Sequence, residues 1–503
     1  MNPSHENEPR RTDCPSDQEL ADGLAIRRLS RRELLRYGGM GFGSLALAGM
    51  LGREGMAAPP AAIGDITAPH PLAKRKPHFD AKAKSVIWLF LNGGPSHVDT
   101  WDYKPELQKR DGQLLAGADP KTGFFTTSGK LLKSPFEFKQ HGESGAWVSE
   151  IFPKLANHVD QMAFIHSCYT ESNNHSPALF QLNTGLNRMG FPCLGSWITY
   201  GLGSENEDMP GFVVMTDALG RGLPKGKALN WGAGFLPGIY QATPLNNQSP
   251  AIDNLLRRPN QSTTQQRRMM DLVQQSNREH QQRYDDEADL TARIDALELA
   301  FRMQMSAPGV LDVDQETEAT RKSYGLDDKK CAHFGRQCLL ARRMVEQGVR
   351  FIQIYSGGTG DAESWDGHKD IRKNHSTLAG EVDQPIAALL ADLKERGLLE
   401  STLVICGGEF GRTSDAQEGR GRDHNPNAFT TWFAGGGIKG GVHHGATDEV
   451  GYKAIENRTS VHDLHATILH LLGMDHERLT YRFNGRDYRL TDVYGDVVTE
   501  IIA

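Results

Sequence analysis

Residues 86–94 read Val86-Ile87-Trp88-Leu89-Phe90-Leu91-Asn92-Gly93-Gly94. Six apolar residues run unbroken into a glycine turn. Such a run suits a strand covered on both faces. Similar runs stand at 162–166, 212–215, 349–355, 402–406 and 429–434. Helical patterns lie between them. Residues 382–396 put Ile386, Leu389, Leu390 and Leu393 on one face and stop at Gly397. Residues 461–472 follow a cap at Thr459 or Ser460 and end at Gly473. The alternation predicts an α/β fold.

Outward from this core the pattern changes twice. Residues 260–305 are rich in Gln, Arg, Glu and Asp, with sparse apolar positions at Leu272, Leu290, Ile294, Leu297, Leu299 and Phe301. They predict one long or two shorter surface helices inserted into the α/β domain. No clean heptad persists to support a coiled-coil dimer arm, and the oligomeric state stays open. Residues 59–80 hold five prolines and read as a linker. Residues 1–25 are polar and aperiodic, which predicts disorder. Ser30-Arg31-Arg32 then precedes a Gly/Ala-rich apolar stretch over 37–51 and small residues at 56–58. Residues 1–58 together resemble a leader with a twin-arginine signal. That implies the twin-arginine export machinery as a partner and a periplasmic or extracellular location, with membrane anchoring left open. The apolar stretch is short for a membrane span. The six cysteines are irregularly spaced, without a C-x-x-C pair, so they do not form a disulfide framework. A net charge of -7 gives no footing for nucleic-acid binding.

Ligands of open α/β sheets bind beyond the carboxyl ends of the strands, so the segments that follow the runs carry the function. They are Asn92-Gly93-Gly94 through Asp99; Asn173-Asn174-His175-Ser176; Gly357-Gly358 through Trp365-Asp366-Gly367-His368; Gly408-Glu409-Phe410-Gly411-Arg412; and Gly421-Arg422-Asp423-His424. Each pairs acids, amides or imidazoles with glycines. Parallel strands would gather them at one edge. So many acids at one place call for a divalent cation. Calcium fits an oxygen-dominated set, and zinc or manganese fits if His368 and His424 both bind. Arg412 can grip an anionic group through two parallel hydrogen bonds. Each loop taken singly also reads as an ordinary turn, and Asp423-His424 as a loop salt bridge. His465 lies on the apolar face of its helix, where a packed core histidine and a residue orienting a metal ligand are the two readings. His443-His444 reads as a surface loop.

These motifs resemble a known family. The segment 89–102 with Lys104-Pro105-Glu106-Leu107, Trp365-Asp366-Gly367-His368, Gly408-Glu409-Phe410-Gly411-Arg412-Thr413, Gly421-Arg422-Asp423-His424 and Asp463-Leu464-His465-Ala466-Thr467 are similar to those of the exported family called domain of unknown function 1501. The likeness covers nearly all of the chain after about residue 70. The family is sulfatase-like, within the alkaline phosphatase superfamily. That implies a sulfatase-like α/β sandwich, with a mostly parallel central sheet flanked by helices, a helical insertion and a metal site at the strand ends. Residues 81–503 would form one such domain. The sulfatase pattern is not kept in full. Glu409 and Phe410 stand where sulfatases carry an Asp-His pair. The nucleophile position holds His175, followed by Ser176-Pro177-Ala178-Leu179, with Thr184-Gly185 in register. The first loop offers Asn92 and Asp99 in place of paired Asp. His175 is therefore a metal ligand or a nucleophile, Ser176 is an alternative nucleophile, or a metal-bound water attacks directly with His175 or His424 as acid/base. The reading that follows is an exported metal-dependent hydrolase of sulfate or phosphate esters, with a polysaccharide as candidate carrier. Asn92, Asp99, Asp366, His368, Glu409, Asp423 and His424 would be its metal ligands or their supports. His175, Ser176 and Arg412 would be its catalytic groups. The competing readings are a non-catalytic exported metal- or ligand-binding protein, and a surface-assembly protein that docks through 260–305.

Overall fold

The computed structural model describes residues 71–503 apart from 120, 126, 247–250, 253–254, 256–260 and 282–287. The expected leader and signal, with most of the linker, lie outside the described residues. Among those residues the main sheet contains β1 (Ser85–Leu91), β2 (Met162–Tyr169), β3 (Phe212–Met215), β4 (Thr243–Leu245), β5 (Phe351–Ser356) and β6 (Thr402–Gly407). A polar ribbon follows, made of β7 (Gly411–Gln417) and β8 (Gly421–Asn425). Three more strands then rejoin the main sheet: β9 (Phe429–Ala434), β10 (Val442–His444) and β11 (Thr459–Ser460). The sheet order is β10-β2-β9-β6-β1-β5-β3-β4, with β11 also on β2.

The quoted stretch is the centre of this sheet. Every residue of β1 is buried, and it pairs in parallel with β5 on one side and β6 on the other. Leu91 is opposite Ser356 and Phe90 opposite Gly407. The chain therefore leaves three neighbouring strands at Asn92, Gly357 and Gly408 along one edge. β9 alone runs antiparallel to its neighbours β2 and β6. The ribbon ends at the site edge, so the next strand has to run away from it.

Two segments expected as loops are strands. β7 and β8 form an antiparallel ribbon, closed by a turn in which Glu418 and Gly419 take positive φ (50° and 81°). All of its residues are buried although most are polar, so no apolar alternation announces it. A bulge between Arg422 and His424 shifts the register there. His443-His444, expected as a surface loop, belongs to the edge strand β10, with His443 exposed and His444 buried, and His166 and His443 are joined at 2.9 Å.

The helices that bear on the site and on the sequence expectations are α1 (His175–Thr184), α2 (Thr263–Gln281), α3 (Ala288–Leu311), α4 (Ile371–Glu395) and α5 (Val461–Leu471). α4 begins well before the predicted residue 382, because Asp370 caps it through the Lys373 N–H and the helix carries Pro385 within it. The insertion is two helices, as one expectation had it, but α3 turns inward: Ala300, Met303 and Ala307 are core residues. Arg267 on α2 reaches Glu298 on α3 at 2.8 Å. No helix among the described residues is long and apolar enough to cross a membrane.

Gly421 shows how tightly the ribbon lies on the neighbouring loop. A Cβ there would stand 1.6 Å from the His368 carbonyl oxygen. The Arg422 N–H donates to Gly367 O at 3.1 Å, and the Ile371 N–H to Arg420 O at 3.0 Å. Gly421→Ala is thus expected to pry the ribbon away from His368, costing about 1–3 kcal/mol in urea unfolding and weakening metal binding along with it.

Candidate metal centre

Four ligand atoms, one each from His175, Asp366, His368 and His424, lie within 4.8 Å of one another. They come from separate parts of the fold. His175 opens α1, whose first turn is fixed by Asn174: its side-chain oxygen accepts from the Ser176 N–H at 3.2 Å. Asp366 and His368 sit in the segment after β5, and His424 sits on β8.

The hydrogen bonds on the far side of each ring decide what the near side offers. His424 Nδ1 lies 2.6 Å from the Asn173 carbonyl, which can only accept, so Nδ1 carries the hydrogen and Nε2 is a bare lone pair. His368 Nδ1 donates to Gln417 Oε1 at 2.5 Å, which in the neutral ring leaves its Nε2 bare as well. These two Nε2 atoms face each other at 3.0 Å. Asp366 Oδ1 stands 2.8 Å from the first and 3.2 Å from the second. With both rings neutral, three electron pairs meet with no proton between them. Burial pushes the His424 imidazole down to about 3, so it does not relieve the clash by taking one at neutral pH. A cation does relieve it. Three imidazoles and one carboxylate are a nitrogen-rich set that matches zinc, and manganese less closely, and lacks the oxygens calcium prefers.

His175 is held from both sides. Its Nδ1 donates to Glu409 Oε1 at 2.6 Å, and its Nε2 lies 3.1 Å from Asp366 Oδ2. Burial alone would lower its pKa, but the hydrogen bonds to Asp366 and Glu409 outweigh it and raise the group to about 9. In the metal-free protein His175 is thus an imidazolium at pH 7. Its contribution to stability is complete below the ordinary 6.5 and is lost as pH rises through about 9. A metal needs the bare Nε2, so zinc binding at pH 7 is expected to release about one proton. Calorimetry in buffers of different ionisation enthalpy measures this, and a release of none would contradict the coordination.

The remaining groups expected at the site divide into supports and strangers. Glu409 backs His175 and accepts from the Gly93 N–H at 3.0 Å. Asp423 accepts from the His424 N–H at 2.8 Å and the Phe125 N–H at 2.5 Å, and lies 3.9 Å from His368 Nδ1. Arg412 is wholly buried. It gives Asp366 Oδ1 a hydrogen bond of 2.6 Å and donates to the carbonyls of Gly93 and Gly94. The expectation that it grips an anionic ester gives way to this: its guanidinium holds Asp366 in place. Burial would raise the Asp366 carboxyl, but the Arg412 charge foremost, with the hydrogen bond from His175, holds it far below the carboxylate range.

Asn92 and Asp99 are not among the four. Asn92 donates to Gly358 O at 2.5 Å and ties two loops together. Asp99 pairs with Arg422 at 2.6 Å, both of them buried. The Ser176 backbone belongs to the cap of α1. His465 donates to Leu182 O at 2.8 Å, holding α1 rather than a ligand, and burial lowers it to about 3. Sequence reasoning gave no role to Gln417 or Asn173, which set two of the tautomers. It also passed over Phe124 and Phe125, whose rings lie 5.6 Å from His424 and 5.1 Å from His368. Gly123 was the one available signal: a Cβ there would stand 2.4 Å from Asp423 Oδ2, so only glycine lets that loop close on the site.

Over residues 83–502 the chain matches a family described as "Protein of unknown function (DUF1501)". No curated protein matches it. Among solved structures it is similar to Ps i-CgsB in complex with k-i-k-neocarrahexaose, at 10% identity over 79% of this chain and 72% of that one, with a TM-score of 0.35. The PsFucS1 sulfatase from Pseudoalteromonas sp. gives 13% identity, 80% and 69% coverage and a TM-score of 0.33. The phosphonate monoester hydrolase SpPMH from Silicibacter pomeroyi gives 12%, 77% and 73%, and 0.33. Likenesses this slight say nothing of what the chain binds or cleaves.

Proposed function

The chain belongs to the family described as protein of unknown function (DUF1501), and on that premise we propose that it is a zinc-dependent hydrolase of sulfate or phosphate esters. One observation carries the reading: ligand atoms of His175, Asp366, His368 and His424 lie within 4.8 Å of one another, with the Nε2 atoms of His368 and His424 facing at 3.0 Å. Zinc held there supplies a Lewis acid and lowers the pKa of water. The chain's own residues do the rest. Glu409, Gln417 and the Asn173 carbonyl fix the three rings, and buried charge pairing with Arg412 fixes Asp366. Carboxylate-backed imidazoles of this kind hold the metal ligand in one orientation. His175, clamped between two carboxylates, serves as ligand in preference to nucleophile.

The ester's carrier in this reading is an anionic polysaccharide outside the cytoplasm. The support is Arg31-Arg32 ahead of a short apolar stretch, since twin-arginine export suits a protein that takes up its metal while folding. The test is elemental analysis of protein purified after export, with assays on aryl sulfates and aryl phosphates, for wild type and the Asp366→Ala/His424→Ala variant. Stoichiometric zinc and turnover, both lost in the variant, are the expected result. Zinc without turnover of any ester would overturn hydrolysis and leave a metal-binding protein.

A further inference from the structure

The metal centre occupies the first turn of α1. A separate cavity of about 610 Å³ is lined by residues from farther along the same helix, the end of β2, the start of α5 and the segment 493–496. Two of its lining side chains are almost wholly buried: Gln181 is 3% exposed and His462 5%. Gln181 uses its Oε1 to accept from Thr170 Oγ1 at 2.7 Å and from the Glu171 N–H at 3.0 Å. Its amide Nε2 has no protein partner among the described residues. His462 donates from Nε2 to Gly185 O at 2.8 Å; its Nδ1, an acceptor in the neutral ring, is again without a protein partner among the described residues. A donor and an acceptor carried by two buried side chains that line one cavity suit a ligand that both gives and takes hydrogen bonds. Hydroxyl groups do both.

The walls add a second requirement. Tyr494 is 59% exposed, and its ring packs 5.1 Å from that of His462. It presents a flat apolar face with a polar tip, the surface on which the C–H face of a sugar ring lies. The charges at the rim exclude polyanions. Glu171, Asp463, Glu477 and Asp496 outnumber Arg458, whose guanidinium is stacked 4.3 Å over the Tyr169 ring.

The geometry points to a glycan-binding cleft distinct from the metal centre. It takes neutral pyranose units, whose hydroxyls bond Gln181 and His462 and whose apolar face rests on Tyr494. Gln181 follows His175 by six residues, about 9 Å along the helix axis at 1.5 Å per residue. The cleft does not depend on hydrolysis, and its binding is measured without turnover.

The test is an array of immobilised neutral, sulfated and carboxylated hexasaccharides, probed with metal-free and zinc-loaded protein. Retention on neutral glycans is expected, equal with and without zinc, and at least tenfold weaker for Tyr494→Ala. That side chain is exposed, so its loss leaves folding intact. Gln181→Glu keeps both accepted hydrogen bonds and loses the amide donor, and is expected to weaken retention similarly. No retention on any neutral glycan, retention on sulfated glycans alone, or a Tyr494→Ala protein that binds like wild type would each overturn the cleft. Tyr494-dependent retention in a protein that turns over no ester would leave it standing and remove only the hydrolase.

Discussion

His424→Ala protein is expected to hold zinc at least about 100-fold more weakly than wild type. Removing a group that merely orients a metal-bound histidine costs about 10–100-fold, and here the ligand itself goes. His424 is the ring best prepared for the role. Burial keeps it neutral, the Asn173 carbonyl fixes its tautomer, and Phe410 packs 4.5 Å from it. Metal-free stability should move far less. The ring's Nε2 faces other lone pairs, so the main loss is one neutral hydrogen bond, about 1 kcal/mol. Chelator competition gives the affinity, and urea unfolding the stability. At zinc 100-fold above the wild-type dissociation constant, wild type gains about 2.7 kcal/mol and the variant about 0.4 kcal/mol or less. Equal stabilisation of the two proteins would remove His424 from the site.

Asp99→Ala is expected to be the converse: a large loss of stability with the metal retained. Asp99 and Arg422 are both fully buried, and Asp99 accepts from the Arg422 Nε–H at 2.6 Å and from Ser96 Oγ at 2.5 Å. Deleting one partner of a buried pair leaves the other charge uncompensated, at a cost of about 3–5 kcal/mol. Arg422 still donates to Thr413 O, Ser414 O and Leu132 O, which places the cost toward the lower figure. Burial alone would raise the Asp99 carboxyl, but Arg422 outweighs it and holds the group below its ordinary 3.8. The stabilisation is therefore present above about pH 4 and is lost as pH falls through the lowered folded value. Asp99→Ala protein should lack that part of the acid-side slope. Folded Asp99→Ala protein without zinc would return Asp99 to the metal.

These two variants separate residues that look alike in the sequence. Asp99, Asp366 and Asp423 all sit near glycines and a histidine, and all three are buried. What distinguishes them is which arginine or amide each one meets, and those partners come from elsewhere in the chain. Arg412 and Arg422 lie on the two strands of a ribbon that reads as loop, because its buried residues are polar and their partners are backbone carbonyls. The apolar strands were legible because a strand buried on both faces needs no partner pattern beyond continuity. The convergence of His175, Asp366, His368 and His424 was legible for the same reason. β1, β5 and β6 are parallel, and β2 runs with them because β9, between β2 and β6, is antiparallel to both, so the segments after these strands share an edge. Gln417, which turns His368, was not legible, since a glutamine in a polar ribbon gives no sign of the ring it meets.

The most direct test of the metal centre is an anomalous difference map at the zinc edge, from crystals of the exported protein grown with zinc. One strong peak is expected within bonding distance, about 2.0–2.2 Å, of His175 Nε2, His368 Nε2, His424 Nε2 and an Asp366 oxygen. A map with no peak there, or with the ion bound instead by Asp99 or Asp423, would contradict it.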